Sequence, residues 1–209
     1  MKEVKTNSTY KGTRILIGNE KRKLLNQMID YLYTEDYTEI ALPNIQYQET
    51  FKSKVGEENN NLMFNFSDRG NKELCLAPEY TAVVQPLSNT YFWGKKDVKL
   101  FYIQECFRGE KPQKGRYRQF TQLGIEILNP SDPKETLEML EKQASNLIEF
   151  VTSNYELTQN VKRGLDYYNN GLGFEISCSE LGSSSQVCGG GIYENGVGYS
   201  IGIDRILLL

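Results

Sequence analysis

The sequence predicts an α+β domain in which helices flank an antiparallel β-sheet. Several segments alternate apolar and polar residues and are joined by short turns, a pattern typical of antiparallel strands. Two longer segments repeat apolar residues at helical spacing. A chain of 209 residues with 39% hydrophobic residues suits one compact domain and is too short for two of ordinary size. We therefore expect residues 1–209 to form a single domain.

The first third of the chain predicts a helix, a short strand and a hairpin. Apolar residues recur at helical spacing in residues 18–33, and Asn19 stands where an N-cap is expected. Residues 38–43 (TEIALP) predict a short strand that its proline ends. Residues 62–66 and 73–76 predict two alternating strands joined by a turn.

A strand-to-helix turn follows in residues 77–81 (APEYT). Pro78 ends the preceding strand, and Glu79 begins a helix that we expect to continue to Leu87. From this turn, Glu79 and Thr81 either direct their side chains into a cleft or only cap the start of the helix. The residues alone leave both interpretations open.

Residues 100–107 and 117–128 predict a central hairpin with a long loop. Alternation in the second strand places Leu123, Ile125 and Ile127 on one face, and Gln122, Gly124 and Glu126 on the other. The loop is basic and carries Arg108, Lys111, Lys114, Arg116 and Arg118. Arginine forks match phosphate oxygens, so the loop suits a polyanion, although a solvated hairpin tip has the same composition. Gln122 and Glu126 behind it favour a small amino-bearing ligand beside a phosphate site.

The last third predicts one long helix and several strands. We expect a helix over residues 135–151, a turn over 169–173, and strands over 174–178, 187–193 and 199–203.

A short helix is expected to begin at Asp204, with Arg205 in its first turn. A cation at the positive end of a helix is unfavourable unless an anion is near. Arg205 is therefore either a second phosphate ligand or a side chain that turns into solvent.

Composition excludes several classes of function. The net charge of -3 disfavours nucleic-acid binding by the surface as a whole. The sequence has no signal peptide and no apolar run near the roughly 20 residues of a membrane span, so we expect a cytoplasmic protein without membrane contact. Four separated cysteines without a CxxC pair predict buried thiols and no metal site.

The chain contains no histidine. Histidine-based hydrolase triads, histidine-ligated metals and histidine acid–base catalysis are therefore excluded. Phosphoryl and nucleotidyl transfer, which rest mainly on positioning and charge, remain compatible with the sequence.

Several motifs together resemble one family. The segments FRGEKPQKGRYRQF with QLGIE, APEYT, RGLDYY with FEI, and GGGIY with GIDRILLL have the order and approximate spacing of the catalytic domain of class II histidyl-tRNA synthetases. The segment TEIALP resembles the dimer-interface motif of that family. The resemblance covers residues 12–209 and implies a class II aminoacyl-tRNA synthetase-like fold, a central six-stranded antiparallel sheet flanked by helices, and a homodimer.

The resemblance also implies a reaction. The carboxylate of histidine attacks the α-phosphorus of ATP, with Mg²⁺ as cofactor, and gives histidyl-adenylate and pyrophosphate. Arg108 would hold the α-phosphate, Arg116 and Arg205 the pyrophosphate end, and Phe120 would stack on adenine near Glu110.

Amino-acid recognition is implied in the same way. Arg163 would reach the substrate carboxylate and the α-phosphate, as a catalytic residue with Arg108 and Arg205. The ligands of the amino acid would be Glu79, Thr81, Gln122, Glu126, Tyr168 and Tyr193. The first three would hold the amino group, Glu126 and Tyr168 would bind the imidazole nitrogens, and Tyr193 would line the pocket.

The sequence departs from the family at several positions. Ala77 and Ile192 stand where arginines are usual, and Gly109 and Thr121 replace histidines. We expect no anticodon-binding domain after residue 209, and residues 130–162 are too few for the insertion domain of the family.

Two functions therefore stay open. One is a minimal enzyme whose acceptor is the end of a tRNA, contacted by residues 111–114, or another carrier. The other is a non-catalytic histidine sensor, similar to the regulatory subunit of ATP phosphoribosyltransferase. A sensor does not need the full set of arginines, and their presence favours the enzyme.

Overall fold

The computed structural model describes residues 18–52, 61–162 and 168–209, together with the backbone of two short strands near the N-terminus. In chain order the strands are β1 (Lys2–Glu3), β2 (Arg14–Ile15), β3 (Thr38–Glu39), β4 (Ile45–Tyr47), β5 (Asn65–Ser67), β6 (Glu73–Leu76), β7 (Val98–Phe107), β8 (Gln119–Leu128), β9 (Glu156–Gln159), β10 (Tyr168–Ser177), β11 (Gln186–Tyr193) and β12 (Gly196–Gly202). The α-helices are α1 (Glu20–Thr34), α2 (Glu49–Lys52), α3 (Thr81–Val84), α4 (Pro133–Ile148) and α5 (Ile203–Ile206). Two 3₁₀ segments cover Gln85–Asn89 and Ser179–Ser184.

The main sheet has seven strands within the described part of the chain, in the spatial order β3-β7-β8-β12-β11-β10-β9. Six of these strands pair with one another in antiparallel orientation: β7, β8, β12, β11, β10 and β9. β3 adds to the edge of β7 in parallel orientation. The predicted antiparallel sheet flanked by helices is therefore confirmed, and a short parallel edge strand extends it.

A smaller antiparallel sheet has the order β4-β6-β5. The turn between β5 and β6 is closed by the carboxylate of Asp68, which accepts hydrogen bonds from the backbone N–H groups of Gly70 and Lys72. The hairpin predicted from residues 62–66 and 73–76 is present.

Two long helices cover one face of the main sheet. The buried residues of α1 are Leu24, Leu25, Met28 and Leu32. They join a core with residues of α4 and with the inward face of β8. Asp132 caps α4 by accepting from the backbone N–H groups of Lys134 and Glu135. Asn19 occupies the N-cap position of α1, but its side chain makes no capping hydrogen bond.

The opposite face of β7 and β8 forms a second core with α3 and the small sheet. Tyr102 and Tyr193 are buried there, on the face that also carries Glu126. The alternation predicted for β8 is confirmed, because Leu123, Ile125 and Ile127 belong to the helix-covered core.

Two sequence expectations differ from the structure. The helix after residues 77–81 is a single turn, α3, and the chain then narrows to a 3₁₀ segment that contains Pro86. Proline supplies no N–H for the next α-helical bond, which accounts for the change. The turn expected at residues 169–173 lies within β10, where pairing with β11 is irregular between Tyr168 and Gly173.

No helix in the described ranges is both long and apolar enough to span a membrane.

Candidate active site

A buried carboxylate lies on the face of β8 that is opposite the two long helices. Glu126 has no exposed surface, and Oε1 accepts a hydrogen bond of 2.7 Å from the hydroxyl of Thr81. The hydroxyl of Tyr193 donates to Oε2 at 2.8 Å, and that of Tyr102 donates to Oε1 at 3.5 Å. Burial raises the pKa of Glu126 to about 8, although these hydrogen bonds oppose the shift and the nearby charge of Glu79 adds to it.

Glycines make room for this cluster on neighbouring strands. Gly198 of β12 is opposite Glu126 in the register, and a Cβ atom at this position would overlap Oε2 of Glu126. Gly124 is opposite Tyr102, and a Cβ atom there would overlap the phenol ring. Any other residue at either position would displace a member of the cluster.

Glu79 lies two residues before α3, beside this cluster. Its carboxylate accepts a hydrogen bond from the backbone N–H of Ala82 at 3.1 Å. The helix cap that the sequence left open is therefore present. The side chain is also buried, and its charge acts on Tyr102, Cys106 and Glu126. Glu79 therefore both caps the start of α3 and lies beside the buried cluster around Glu126.

Gln122 lies on the same face of β8, four residues before Glu126. Its Nε2 donates to the hydroxyl of Ser200 at 2.7 Å, and its Oε1 accepts from Sγ of Cys106 at 3.1 Å. Burial raises the pKa of the Cys106 thiol to about 12, so the thiol stays protonated and donates this bond. The amide of Gln122 is fixed in orientation by these two contacts.

The basic loop between β7 and β8 begins with Arg108. The Nε atom of Arg108 donates to the carbonyl of Pro78 at 2.9 Å, and its guanidinium lies 5.2 Å from the ring centre of Phe120. The structure thus brings together two predicted ATP ligands and joins them to the turn that precedes Glu79.

The tip of the loop approaches the C-terminal helix. The Nε atom of Arg205 donates to the carbonyl of Gly115 at 3.0 Å, and Nη1 donates to the carbonyl of Gln186. Arg116 forms an ion pair with Glu110 at 3.9 Å, and both side chains are partly exposed, so this pair adds little stability.

Three guanidinium groups share this region. Burial lowers the pKa of Arg205 below its usual value, and the positive charges of Arg116 and Arg108 lower it further, while Glu110 opposes them. Cations that disfavour each other's charge at a partly buried site are stabilised by an anion. The guanidinium of Arg205 bonds to the backbone carbonyls of Gly115 and Gln186, so the side chain does not simply turn into solvent.

A pocket of about 360 Å³ opens between this loop, the 3₁₀ segment Ser179–Ser184 and α5. Its lining residues are Gln113, Lys114, Gly115, Leu181, Gly182, Ser183, Ser184, Arg205 and Leu208. The 3₁₀ segment Ser179–Ser184, which forms one wall of this pocket, was not predicted as part of the site, because its small polar residues carry no chemical signal of their own.

Tyr102, in the cluster around Glu126, was also missed, although alternation in β7 places it on the same face as Cys106.

Two predicted ligands are described incompletely or not at all. Arg163 lies outside the described residues. The backbone of Tyr168 pairs with that of Tyr193, which brings β10 to the edge of the cluster, but its side chain is outside the described part. Within the described ranges, no three histidine, cysteine or acidic side chains are close enough together to hold a metal ion.

A comparison with models of protein families identifies the family of the chain. The family model described as histidyl-tRNA synthetase matches residues 18–158, about two thirds of the chain. The chain belongs to the histidyl-tRNA synthetase family. The chain is 28% identical to the histidine–tRNA ligase of Methanococcus aeolicus over 316 aligned positions. This alignment covers 95% of the chain and 75% of the relative.

Solved structures show the same class II catalytic core. The structure of apo S. aureus histidyl-tRNA synthetase has a TM-score of 0.73 at 25% identity and covers 94% of this chain and 67% of that one. A Bacillus halodurans protein, described as an ATP phosphoribosyltransferase regulatory subunit/histidyl-tRNA synthetase, has a TM-score of 0.78 at 14% identity and covers 100% of this chain and 84% of that one. At this lower identity the likeness shows the fold alone.

Proposed function

We propose that this chain activates histidine with ATP and forms histidyl-adenylate and pyrophosphate. The proposal rests on the residues that the β7–β8 hairpin carries. Its β8 strand holds the buried carboxylate of Glu126, and its loop holds Arg108 and Arg116 near Arg205. The candidate amino-acid site and most of the cationic site therefore belong to one hairpin. We infer that residues 1–209 form one catalytic domain.

The arginines suit the chemistry of the transfer. An ionised carboxylate oxygen of the amino acid forms the new bond to the α-phosphorus, and the bond to pyrophosphate breaks, so no general base is needed. Negative charge on the transferred group must be stabilised by fixed cations. We assign the α-phosphate to Arg108 and Arg163, and the pyrophosphate end to Arg116 and Arg205.

The nucleotide base would bind where this loop meets β8. The ring of Phe120 lies beneath the guanidinium of Arg108, so it is already used as a stacking surface. We propose that adenine stacks on Phe120, beside Glu110. The ion pair of Glu110 with Arg116 is weak enough to open when ATP enters.

Histidine recognition rests on the cluster around Glu126. A carboxyl group with a pKa near 8 is protonated at neutral pH and can share one proton with an imidazole ring. We assign the imidazole nitrogens to Glu126 and Tyr168, with Tyr193 as a wall of the pocket, and the amino group to a second set: Glu79, Thr81 and Gln122. A buried site of this kind rejects apolar side chains, because its polar groups would be left unpaired.

Mg²⁺ fits this site only as a partner of the nucleotide. Mg²⁺ keeps several waters and commonly binds one or two carboxylates together with substrate phosphates, so it needs no cluster of acidic residues. The ion would neutralise phosphate charge when bound, and the three guanidiniums orient the same phosphates.

The acceptor and the assembly are part of the proposal. Residues 111–114 at the outer side of the loop would contact the acceptor end of a tRNA or another carrier. A homodimer would form through the region of residues 38–43, where the open edge of β3 is exposed.

A second candidate is a histidine sensor without catalysis. The fold likeness to the Bacillus halodurans protein, whose name includes a regulatory subunit of ATP phosphoribosyltransferase, supports this alternative. A sensor needs the Glu126 cluster but has no use for three neighbouring guanidiniums, and we therefore favour the enzyme.

The exchange of labelled pyrophosphate into ATP separates the two functions. With histidine and Mg-ATP, we expect label to appear in ATP, and we expect Arg116→Ala to slow this exchange while histidine binding is kept. Arg22→Ala, on the exposed side of α1, is the matched control and should exchange like the parent protein. Histidine binding without any exchange in the parent would favour the sensor.

A further inference from the structure

A second polar cluster lies on the helix-covered face of the main sheet, opposite the face that carries Glu126. The Nζ atom of Lys21 donates to Oδ1 of Asp204 at 3.2 Å and to the hydroxyl of Thr121. The backbone N–H of Thr121 donates to Oδ2 of Asp204 at 2.5 Å, and its hydroxyl donates to Oε1 of Glu105. The side chain of Asp204 is 3% exposed and that of Lys21 is 19% exposed.

Asp204 continues the pairing of two strands with its side chain. Gly202 is the last residue of β12 that pairs with β8, opposite Gln122. The next N–H of β8 along this edge, that of Thr121, bonds to the carboxylate of Asp204. The start of α5 is thereby fixed to the strand that carries Phe120 and Gln122.

The helix α5 is also held by Arg205, which donates to the carbonyls of Gly115 and Gln186. It is a single turn of four residues, and its N-cap residue Gly202 has no side chain to cap it. Ile203 and Ile206 are buried and hold the turn by apolar packing. The carboxylate of Asp204 adds the directional contacts that set how the turn is rotated about its axis.

Rotation of α5 decides where Arg205 points. Arg205 follows Asp204 directly, and its guanidinium reaches the other way, to the carbonyls of Gly115 and Gln186. We infer that Lys21 is a positioning residue, which holds Asp204 against Thr121 and so keeps the guanidinium of Arg205 aimed at the phosphates of the nucleotide. This inference rests on the proposed function, because it assigns Arg205 to ATP.

The physical reason is the charge balance of the cluster. Asp204 and Glu105 bring two carboxylates to Thr121, and Lys21 brings a positive charge between them by way of the threonine hydroxyl. A buried carboxylate that loses its cation is strongly destabilised, and we expect Asp204 to move towards water in response. Such a movement of Asp204 turns α5 and withdraws Arg205 from the loop.

The test replaces the charge and keeps the aliphatic stem. In Lys21→Met we expect the KM for ATP in pyrophosphate exchange to rise by about tenfold, with the KM for histidine within about twofold of the parent. Lys21→Arg should restore most of the ATP affinity. Lys23→Met, an exposed lysine on the same helix, is the matched control and should leave both constants unchanged. An unchanged KM for ATP in Lys21→Met would overturn the inference.

A second measurement does not depend on activity. The backbone amide of Thr121 should exchange with deuterium at least about tenfold faster in Lys21→Met, because its acceptor Asp204 has moved. Faster exchange without a change in the KM for ATP would show a purely structural role and overturn the inference. Asp204→Asn is the second variant, should Lys21→Met fail to fold, and it should raise the KM for ATP in the same way.

The failure of the proposed function can be told apart from the failure of this inference. If the parent shows no pyrophosphate exchange, the proposed function fails, and the binding of inorganic pyrophosphate then decides the role of Lys21. Binding that is about tenfold weaker in Lys21→Met than in the parent supports the inference. Equal binding, or no binding to the parent, overturns it.

Discussion

The hydroxyl of Tyr193 on β11 donates a hydrogen bond of 2.8 Å to Oε2 of Glu126 on β8, across the intervening strand β12. The bond can form because β12 presents glycines, Gly196 and Gly198, beneath the two side chains. Three strands thus combine to bury one carboxylate, and the properties of this carboxylate lead to the first three predictions.

Gly198→Ala tests whether the shape of β12 sets the position of Glu126. The added Cβ atom would overlap Oε2 of Glu126, so the carboxylate must move. We expect histidine affinity to fall by at least about tenfold and the free energy of unfolding to fall by about 1–3 kcal/mol. Isothermal titration and urea denaturation measure the two effects. Gly202→Ala on the same strand, where a Cβ atom meets nothing closer than 3.7 Å, should change neither much.

The stability of the protein without ligands should depend on the titration of Glu126. Its pKa is raised from 4.5 to about 8 in the folded state, so between these values the folded protein binds one proton more than the unfolded chain. The free energy of unfolding should therefore decrease as pH rises through this window, by about 1.4 kcal/mol per pH unit from this group. Denaturation between pH 5 and pH 8 should show a flatter profile for Glu126→Gln than for the parent, and parallel profiles would contradict the assignment.

Histidine affinity should be highest between about pH 6.5 and about pH 8. Within this range free Glu126 is protonated and free imidazole is neutral, so the pair already holds the single proton that it shares when bound. Below the range a proton must leave on binding, and above it a proton must be taken up, so affinity declines on both sides. Calorimetry in buffers of different ionisation enthalpy would show net proton exchange near zero at pH 7. A large proton uptake at that pH would contradict this arrangement.

Arg108→Ala should slow adenylate formation with little effect on histidine affinity. Removal of a cation that stabilises charge on the transferred phosphate costs about 2–4 kcal/mol in the activation barrier. The rate of pyrophosphate exchange at saturating histidine and ATP measures this barrier. Because Arg108 also bonds to Pro78, thermal denaturation must show that the variant is folded. An unchanged exchange rate in the folded variant would remove Arg108 from the reaction.

The sequence predicted the hairpin, its two faces and the buried Glu126 correctly, because strand alternation fixes which side each residue takes. It did not predict that Tyr102 lies beside Glu126, and it placed Tyr193 in the pocket only through the family resemblance. Tyr102 and Tyr193 come from β7 and β11, and only the strand order brings them together. The contacts of Lys21 with Asp204 join residues 183 positions apart, which no local pattern indicates. The turn expected at residues 169–173 coincides with a break in the pairing of β10 with β11, so the chain stays within one strand but its register shifts there.

The amino-acid selectivity of pyrophosphate exchange tests the central claim most directly. The parent protein would be assayed with Mg-ATP, labelled pyrophosphate and each proteinogenic amino acid in turn. We predict exchange with histidine and a rate with phenylalanine that is lower by a factor on the order of 10⁴, because phenylalanine leaves the buried polar groups around Glu126 unpaired. Equal exchange with histidine and phenylalanine, or none with any amino acid, would contradict the account.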